Sequence, residues 1–297
     1  MTGEDKSNAQ GQYKVRATAL LGELEGVVNT HDSTIPVILP FLSIILNVAG
    51  IIALIAFMTM SNTSSTYYNT GYNTGYYIDG EASGTDYYGS RDAYSTTPVV
   101  DTSTVGAVWI IAIALASMAA VIYLIYRWID ARNRHFERTT RLYTIAAEIA
   151  EIIRLDRVAL IKSRLNELLI VNGNKKNNAL HMVLGAIVPF YMLYIMHFMN
   201  KDLARHSQHE RLLLAEVMED MKVKDPMLAK GILDYKGVEE RSTFLYIVLG
   251  VVTLGIFMLY WAYAITRDYN AHVTNHRIMD YEILQSLRRI IDTHLTN

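Results

Sequence analysis

The sequence predicts an all-α integral membrane protein with four transmembrane helices, cytoplasmic amphipathic helices and a two-fold internal repeat. Three observations predict it. Four long apolar stretches contain no Asp, Glu, Lys or Arg. The segments between them are as polar as soluble helices, and only 19% of the whole chain is charged while 51% is hydrophobic. Soluble domains usually carry about 25% charged residues.

The elements follow in order. Residues 1–35 form a polar N-terminal segment whose part from Tyr13 to Val28 has helical apolar spacing. The first apolar stretch, 36–60, is long enough to cross a hydrocarbon core of ~30 Å at ~1.5 Å per residue. It lies behind Lys6, Lys14, Arg16, Glu23 and Glu25 rather than behind a short basic leader, so it is expected to be a signal anchor. Residues 61–104 form a loop rich in Tyr, Gly, Ser and Thr, with the tandem tetrapeptide Tyr68-Asn-Thr-Gly, Tyr72-Asn-Thr-Gly. Such a segment buries too little apolar surface to offset its chain entropy, though its tyrosines can stack on a partner. The second span is 105–126, and the connection 127–178 has neither Pro nor Gly until Gly173. Within it Leu142, Ile145, Ile149, Ile152 or Ile153, and Leu160 approximate helical spacing, and Asn172-Gly173-Asn174 marks a stop. The third span is 179–199, followed by a connection at 200–242, a fourth span at 243–265 and a cytoplasmic C-terminal helix within 266–297.

Lys/Arg placement orients the chain. Residues 61–103 contain one such residue, Arg91, whereas 127–178 contain eleven. The N-terminus is therefore expected in the cytoplasm and the first loop outside. The connection 200–242 is also rich in Lys and Arg but balanced by acids. Its side stays open. Four full spans are the preferred reading, with a re-entrant hairpin about Pro189 as the alternative for 179–199.

Sequence echoes point to duplication. Tyr123-x-x-Tyr126 followed by Asn133-x-His135 recurs as Tyr260-x-x-Tyr263 followed by Asn270-x-His272. A second set, Leu193-Tyr194 and Lys201-Asp202 against Leu259-Tyr260 and Arg267-Asp268, sits awkwardly with four spans, which would place the two copies on opposite faces. The fourth stretch resembles the signature helix of a widespread family of small bacterial and archaeal membrane proteins of unknown function. The residues that carry the resemblance are Gly250, Gly255, Leu259, Tyr260, Trp261, Arg267 and Asp268. It implies membrane residence and no activity.

Candidate chemistry is sparse. The absence of cysteine removes thiol catalysis, disulfides and Cys-ligated metals. No span holds an internal ionisable pair of the kind proton-coupled transport needs. Asn47 reads as an interhelical hydrogen-bonding group, and His181 and His197 as interfacial anchors rather than haem ligands. The pairs His206/His209 and His272/His276 have the i,i+3 and i,i+4 spacings that place two imidazoles on one helix face, as a metal requires. Four full spans would put the two pairs on opposite sides of the membrane. A hairpin would bring them to one side. Ala112, Ala116 and Ala120 form a small-residue stripe for helix packing, within the chain or between copies, and Asn62-Thr63-Ser64 fits a glycosylation sequon.

No GxSxG, P-loop or HExxH pattern occurs, so no enzyme is expected and no cofactor is assigned. A net charge of -2 argues against nucleic acid as a partner. The expected function is that of a non-enzymatic, multi-pass scaffold or envelope-interaction component of the cell membrane. Its partners would be lipids, an envelope component met by the Tyr-rich loop, and a second copy of itself. The alternative is an oligomeric channel or small-solute permease.

Overall fold

The structure is a computed structural model that describes residues 3–69, 102–188, 190–225 and 237–294. The described residues are helical and include no strand. Among the described residues eight α-helices follow one another: α1 (Gly3–Asn29), α2 (Leu42–Asn69), α3 (Thr102–Ile152), α4 (Val158–Asn172), α5 (Asn178–Ile187), α6 (Tyr191–Lys224), α7 (Thr243–Val252) and α8 (Ile256–His294). They divide into two units, Phe41–Ala120 and the remainder of the chain.

In the first unit α2 and the outer part of α3 run antiparallel. Asn47 Nδ2 donates to Ser117 Oγ at 2.8 Å and to Ser43 O at 2.7 Å, which is the interhelical role expected of it. Gly50 faces Ile113 so closely that a Cβ there would collide with its side chain, and Gly106 lies against Met58. Residues 106, 113 and 117 of α3 thus form the contact face. Ala112 and Ala116 lie beside it and are exposed, so they do not pack within this pair, whereas Ala120 is buried. The other faces of both helices present bare aliphatic side chains such as Ile51, Ile52, Ile55, Val108 and Ile111. Two stretches among the described residues are long and apolar enough to cross a membrane: Leu39–Thr59, and α3 from Thr104. The helix α2 continues past the expected end of the first span, so Asn62 stands on helical backbone rather than in a loop. The Tyr-rich segment 70–101 lies outside the described residues.

The second unit is a bundle of α1, the inner part of α3, α4, α6 and α8. Its core joins Leu21, Leu24 and Val28 of α1 to Leu142, Ile145 and Ile149 of α3, Ile161, Leu165 and Leu168 of α4, Leu213 and Val217 of α6, and Ile283, Leu287 and Ile290 of α8. In α1, in α3 and at the end of α8 these are the amphipathic stripes the periodicity predicts. Leu160, expected on the buried face, is 40% exposed. The reason is a turn at residues 153–157 that resets the helical register. Arg154 adopts φ 53° there, and Leu155 N bonds back to Ala150 O, as in a helix ended by a left-handed residue. The Asp220 carboxylate of α6 then accepts from Arg157 N at 2.7 Å and so caps the start of α4. Gly173 ends α4, as the sequence predicts.

The third and fourth apolar stretches do not form helices of crossing length. Each is divided. Asn177 caps α5 through Leu180 N, and α5 stops after ten residues at Val188, whose backbone is extended. A residue before proline is pushed to that conformation. Phe190 then takes φ 61°, and α6 begins. The fourth stretch repeats the plan: Ser242 caps α7, also ten residues long, Leu254 takes φ 50° and Gly255 φ 90°, and α8 begins. Gly255 N bonds to Gly250 O, and the Thr253 hydroxyl accepts from Phe257 N, which fixes the corner. Gly250 has no room for a Cβ against Met258, so α7 lies tightly on α8. Of the four expected spans, only the first two stretches lie on helices long and apolar enough to cross a membrane. The other two are helical hairpins, the form weighed in the sequence only for 179–199.

Replacing Gly255 by Val forces a β-branched residue into φ 90° and is expected to destabilise the hairpin by about 1–3 kcal/mol. Thermal unfolding of the purified protein in detergent, compared with Gly22→Ala on α1 as a control in open space, measures the difference.

Candidate metal centre

Three helices bring a histidine to one point inside the second unit. His135 comes from α3, His206 from α6, and His272 with His276 from α8. One ligand atom from each lies within 4.8 Å of the other three, and all four residues are buried. Glu210, one turn beyond His206, is fully buried among them. Its Oε2 lies 2.8 Å from His276 Nε2, 3.7 Å from His272 Nε2 and 3.8 Å from His206 Nε2.

The opposite edges of the rings are held by oxygens. His135 Nδ1 meets Asp32 Oδ2 at 2.9 Å, His206 Nδ1 meets Asn172 Oδ1 at 2.7 Å, and His276 Nδ1 lies 3.4 Å from Asp280 Oδ1. For His135 and His206 an acceptor on Nδ1 keeps the proton there and leaves Nε2 with its lone pair facing inward, whereas His276 Nε2 faces the Glu210 carboxylate. The Nε2 atoms of His135 and His206 are buried and make no hydrogen bond. Such polar atoms are costly unless something else meets them.

An outer layer fixes those oxygens. Arg138 Nη1 donates to Asp32 at 3.2 Å and Nη2 to Asp280 at 2.7 Å, so one guanidinium holds the carboxylates behind two of the histidines. Its Nε reaches Thr30 O at 2.6 Å, and Arg277 donates to Asp32 O. Asn172, behind His206, donates to Thr140 Oγ1 at 3.0 Å. The Tyr143 hydroxyl donates to Glu210 Oε1 at 3.0 Å, which leaves Oε2 for the cluster. Phe136 stacks on the His206 ring at 4.3 Å, with the Arg132 guanidinium over its other side.

Electrostatics prepare the same groups as donors. Burial, together with neighbouring imidazoles, pushes His206 and His272 well below the ordinary histidine range and keeps them neutral. Burial also opposes charge on His276, but the Glu210 and Asp280 carboxylates outweigh it and raise its pKa. Glu210 is driven up by desolvation and held down more strongly by His276. These directions make His276 the cationic partner of Glu210 and leave His206 and His272 neutral. A divalent ion could take the place of the His276 proton and use the same carboxylate as its anionic ligand.

Of the four histidines marked in the sequence, His206, His272 and His276 meet here. His209 does not: it is 32% exposed, and its Nδ1 lies 3.6 Å from Glu167 on the flank of α6. On a helix whose buried face carries residues 206 and 210, position 209 is rotated aside. Neither His135 nor Glu210 stands out as a ligand by local spacing in the sequence. A signal for them exists in the spacing. Tyr123–His135, Tyr194–His206 and Tyr260–His272 each place a histidine twelve residues after a tyrosine. The echo of 193–202 with 259–268 has an offset of 66 residues, and the same offset carries His206 to His272 and Glu210 to His276. Of the other two histidines in the third stretch, His181 meets the Tyr191 hydroxyl within the first hairpin and His197 meets the Thr243 hydroxyl of α7, joining the two hairpins, each at 2.7 Å.

Residues 241–291 match a family described as a domain of unknown function, DUF4234. The matched segment covers α7 and most of α8, including His272 and His276. No curated protein and no solved structure gives a significant match.

Replacing Arg138 by Ala leaves Asp32 and Asp280 buried without their cation, a loss expected to cost about 3–5 kcal/mol. Arg138→Lys should recover only part of it, because one ammonium cannot reproduce the fork that reaches both carboxylates. Denaturant unfolding of the two variants in detergent checks the order wild type, Lys, Ala.

Proposed function

We propose that this protein is a membrane-anchored, non-enzymatic scaffold whose cytoplasmic helical bundle is organised round a bound divalent transition-metal ion. The observation that carries the reading is the meeting of four inward-facing imidazoles and the Glu210 carboxylate at a fully buried point, with the outer edges of three rings held by Asp32, Asn172 and Asp280. Outer oxygens that orient histidines are the recurrent support of metal ligands. Four imidazoles and a carboxylate exceed the four ligands of a tetrahedral structural zinc site. They suit an ion that accepts five or six nitrogen and oxygen donors, such as ferrous, manganous, cobaltous or nickel ions.

A closed centre favours a structural role over catalysis. The ligands are 0–2% exposed, which leaves no open position facing solvent. An ion held there joins α3, α6 and α8 across about 140 residues of sequence, so the bundle would be firm only when loaded. The apolar faces of α2 and the outer part of α3 supply the anchor, and the scarcity of Lys and Arg in 61–103 supports an N-terminus in the cytoplasm. The bundle surface and the Tyr-rich segment are then the places where partners on the two sides would dock.

Protein purified from metal-replete cells is expected to carry about one transition-metal ion per chain by inductively coupled plasma mass spectrometry. The double variant His206→Ala, His272→Ala should lose it, and His209→Ala should keep it. Chelation should lower Tm, because an ion present at 1,000 times its Kd stabilises the fold by about 4 kcal/mol. Wild-type protein that stays metal-free after incubation with each ion in turn, with unchanged Tm, would sink the reading.

A further inference from the structure

We infer that the α5–α6 and α7–α8 hairpins enter the membrane from the cytoplasmic side, turn near its middle and return, so that the chain crosses the bilayer twice and not four times. The inference rests on the convergence of three helices, whether or not an ion binds between them.

The topology follows from connectivity. His135 of α3, His206 of α6 and His272 of α8 lie together, so the inner part of α3, the body of α6 and the body of α8 occupy one side. The third apolar stretch runs between the first two of these helices and the fourth between the last two. Each must therefore leave and re-enter on the same side. A full span between them would part the histidines by the thickness of the bilayer.

The dimensions agree. α5 and α7 are ten residues each, about 15 Å long and half of a ~30 Å hydrocarbon core. The returning legs are uncharged from Tyr191 to Asn200 and from Ile256 to Thr266. Polar and charged groups stand at both feet of each hairpin: Lys176 and Asn177 with Lys201 and Asp202 for the first, Arg241 and Ser242 with Arg267 and Asp268 for the second. Arg241 ties the two feet of the second hairpin by donating to Asp268. From the last apolar residue of each leg to its histidine is about 10 Å along α6, Met199 to His206, and about 10 Å along α8, Ile265 to His272. Both hairpins thus hold the cluster at one depth below their feet.

The tips present their largest apolar side chains outward. Phe190 is 84% exposed, Leu254 94%, Ile187 73% and Val252 73%. Water would disfavour such an array, which exceeds the scattered apolar residues of an ordinary soluble surface. Hydrocarbon is the occupant that fits. The backbone polar groups at each turn are largely served within the hairpin, by Tyr191 N to Val188 O, Leu254 N to Val251 O, and Gly255 N to Gly250 O, as a non-crossing turn in lipid requires.

The chain has no cysteine, so single cysteines report position without background. Val223→Cys and Thr293→Cys, at exposed positions beyond the two hairpins, are compared with Ser83→Cys in the expected outer loop, using a membrane-impermeant maleimide on intact cells and on inverted vesicles. Positions 223 and 293 are expected to label together and opposite to 83. Ala215→Cys and Tyr281→Cys, again one after each hairpin and both exposed, form a second pair should either of the first fail to express. In proteoliposomes, a fluorophore at Leu254→Cys or Phe190→Cys should be quenched most strongly by lipids carrying a spin label deep in the acyl chain. Labelling of 223 and 293 on opposite faces establishes a third or fourth crossing and overturns the proposal. So does free reaction of the tip cysteines with the aqueous reagent, or tip burial that persists in lipid-free detergent dimers, which would assign the surface to a second copy. Loss of metal binding leaves these readouts unchanged, so the two proposals fail separately.

Discussion

A carboxylate taken out of water is costly unless positive charge and hydrogen bonds meet it at close range. Glu210 is such a carboxylate, and the architecture of the second unit can be read as the answer to it. His276 faces one oxygen at 2.8 Å and Tyr143 donates to the other at 3.0 Å. His276 is placed by Asp280, Asp280 by Arg138, and Arg138 also by Asp32, which in turn holds His135. From one buried charge the contacts extend outward through α8, α3 and the segment after α1. Aliphatic packing below this level gives the bundle its bulk stability. The polar centre decides which helix faces which, since a slip of one turn along α6 or α8 would leave several buried groups without partners at once.

How much of this is legible in the sequence depends on the range of the signal. Local periodicity suffices for α1, for the inner part of α3 with α4, and for the last half of α8, because an apolar stripe against a solvated face is written within a few turns. Composition suffices for the two helices of crossing length. The hairpins are harder. A run of 21 or 23 uncharged residues satisfies the length criterion whether or not it bends, and the bend at 253–255 depends on Thr253, Leu254 and Gly255 acting together. Only Pro189 advertises a break openly. The centre itself was half visible: i,i+4 spacing singles out His272 with His276, while His135 stands alone on its helix and Glu210 looks like one acid among many. What joins them is a tertiary fact, and in the sequence it survives only as the recurring twelve-residue interval from tyrosine to histidine.

The expected two-fold repeat of span pairs leaves Tyr194 and His206 outside both copies. The twelve-residue interval itself recurs on three helices, α3, α6 and α8, each of which follows an apolar helix: α2 of crossing length, and α5 and α7 of ten residues.

The Asp32 contact has a consequence for how the chain comes together during synthesis. Asp32 and His135 leave the ribosome long before residues 272–280, and through that interval neither Asp32 nor Glu210 has its full set of partners. The centre is complete only once α8 has been made, since it takes His272, His276 and Asp280 from that helix.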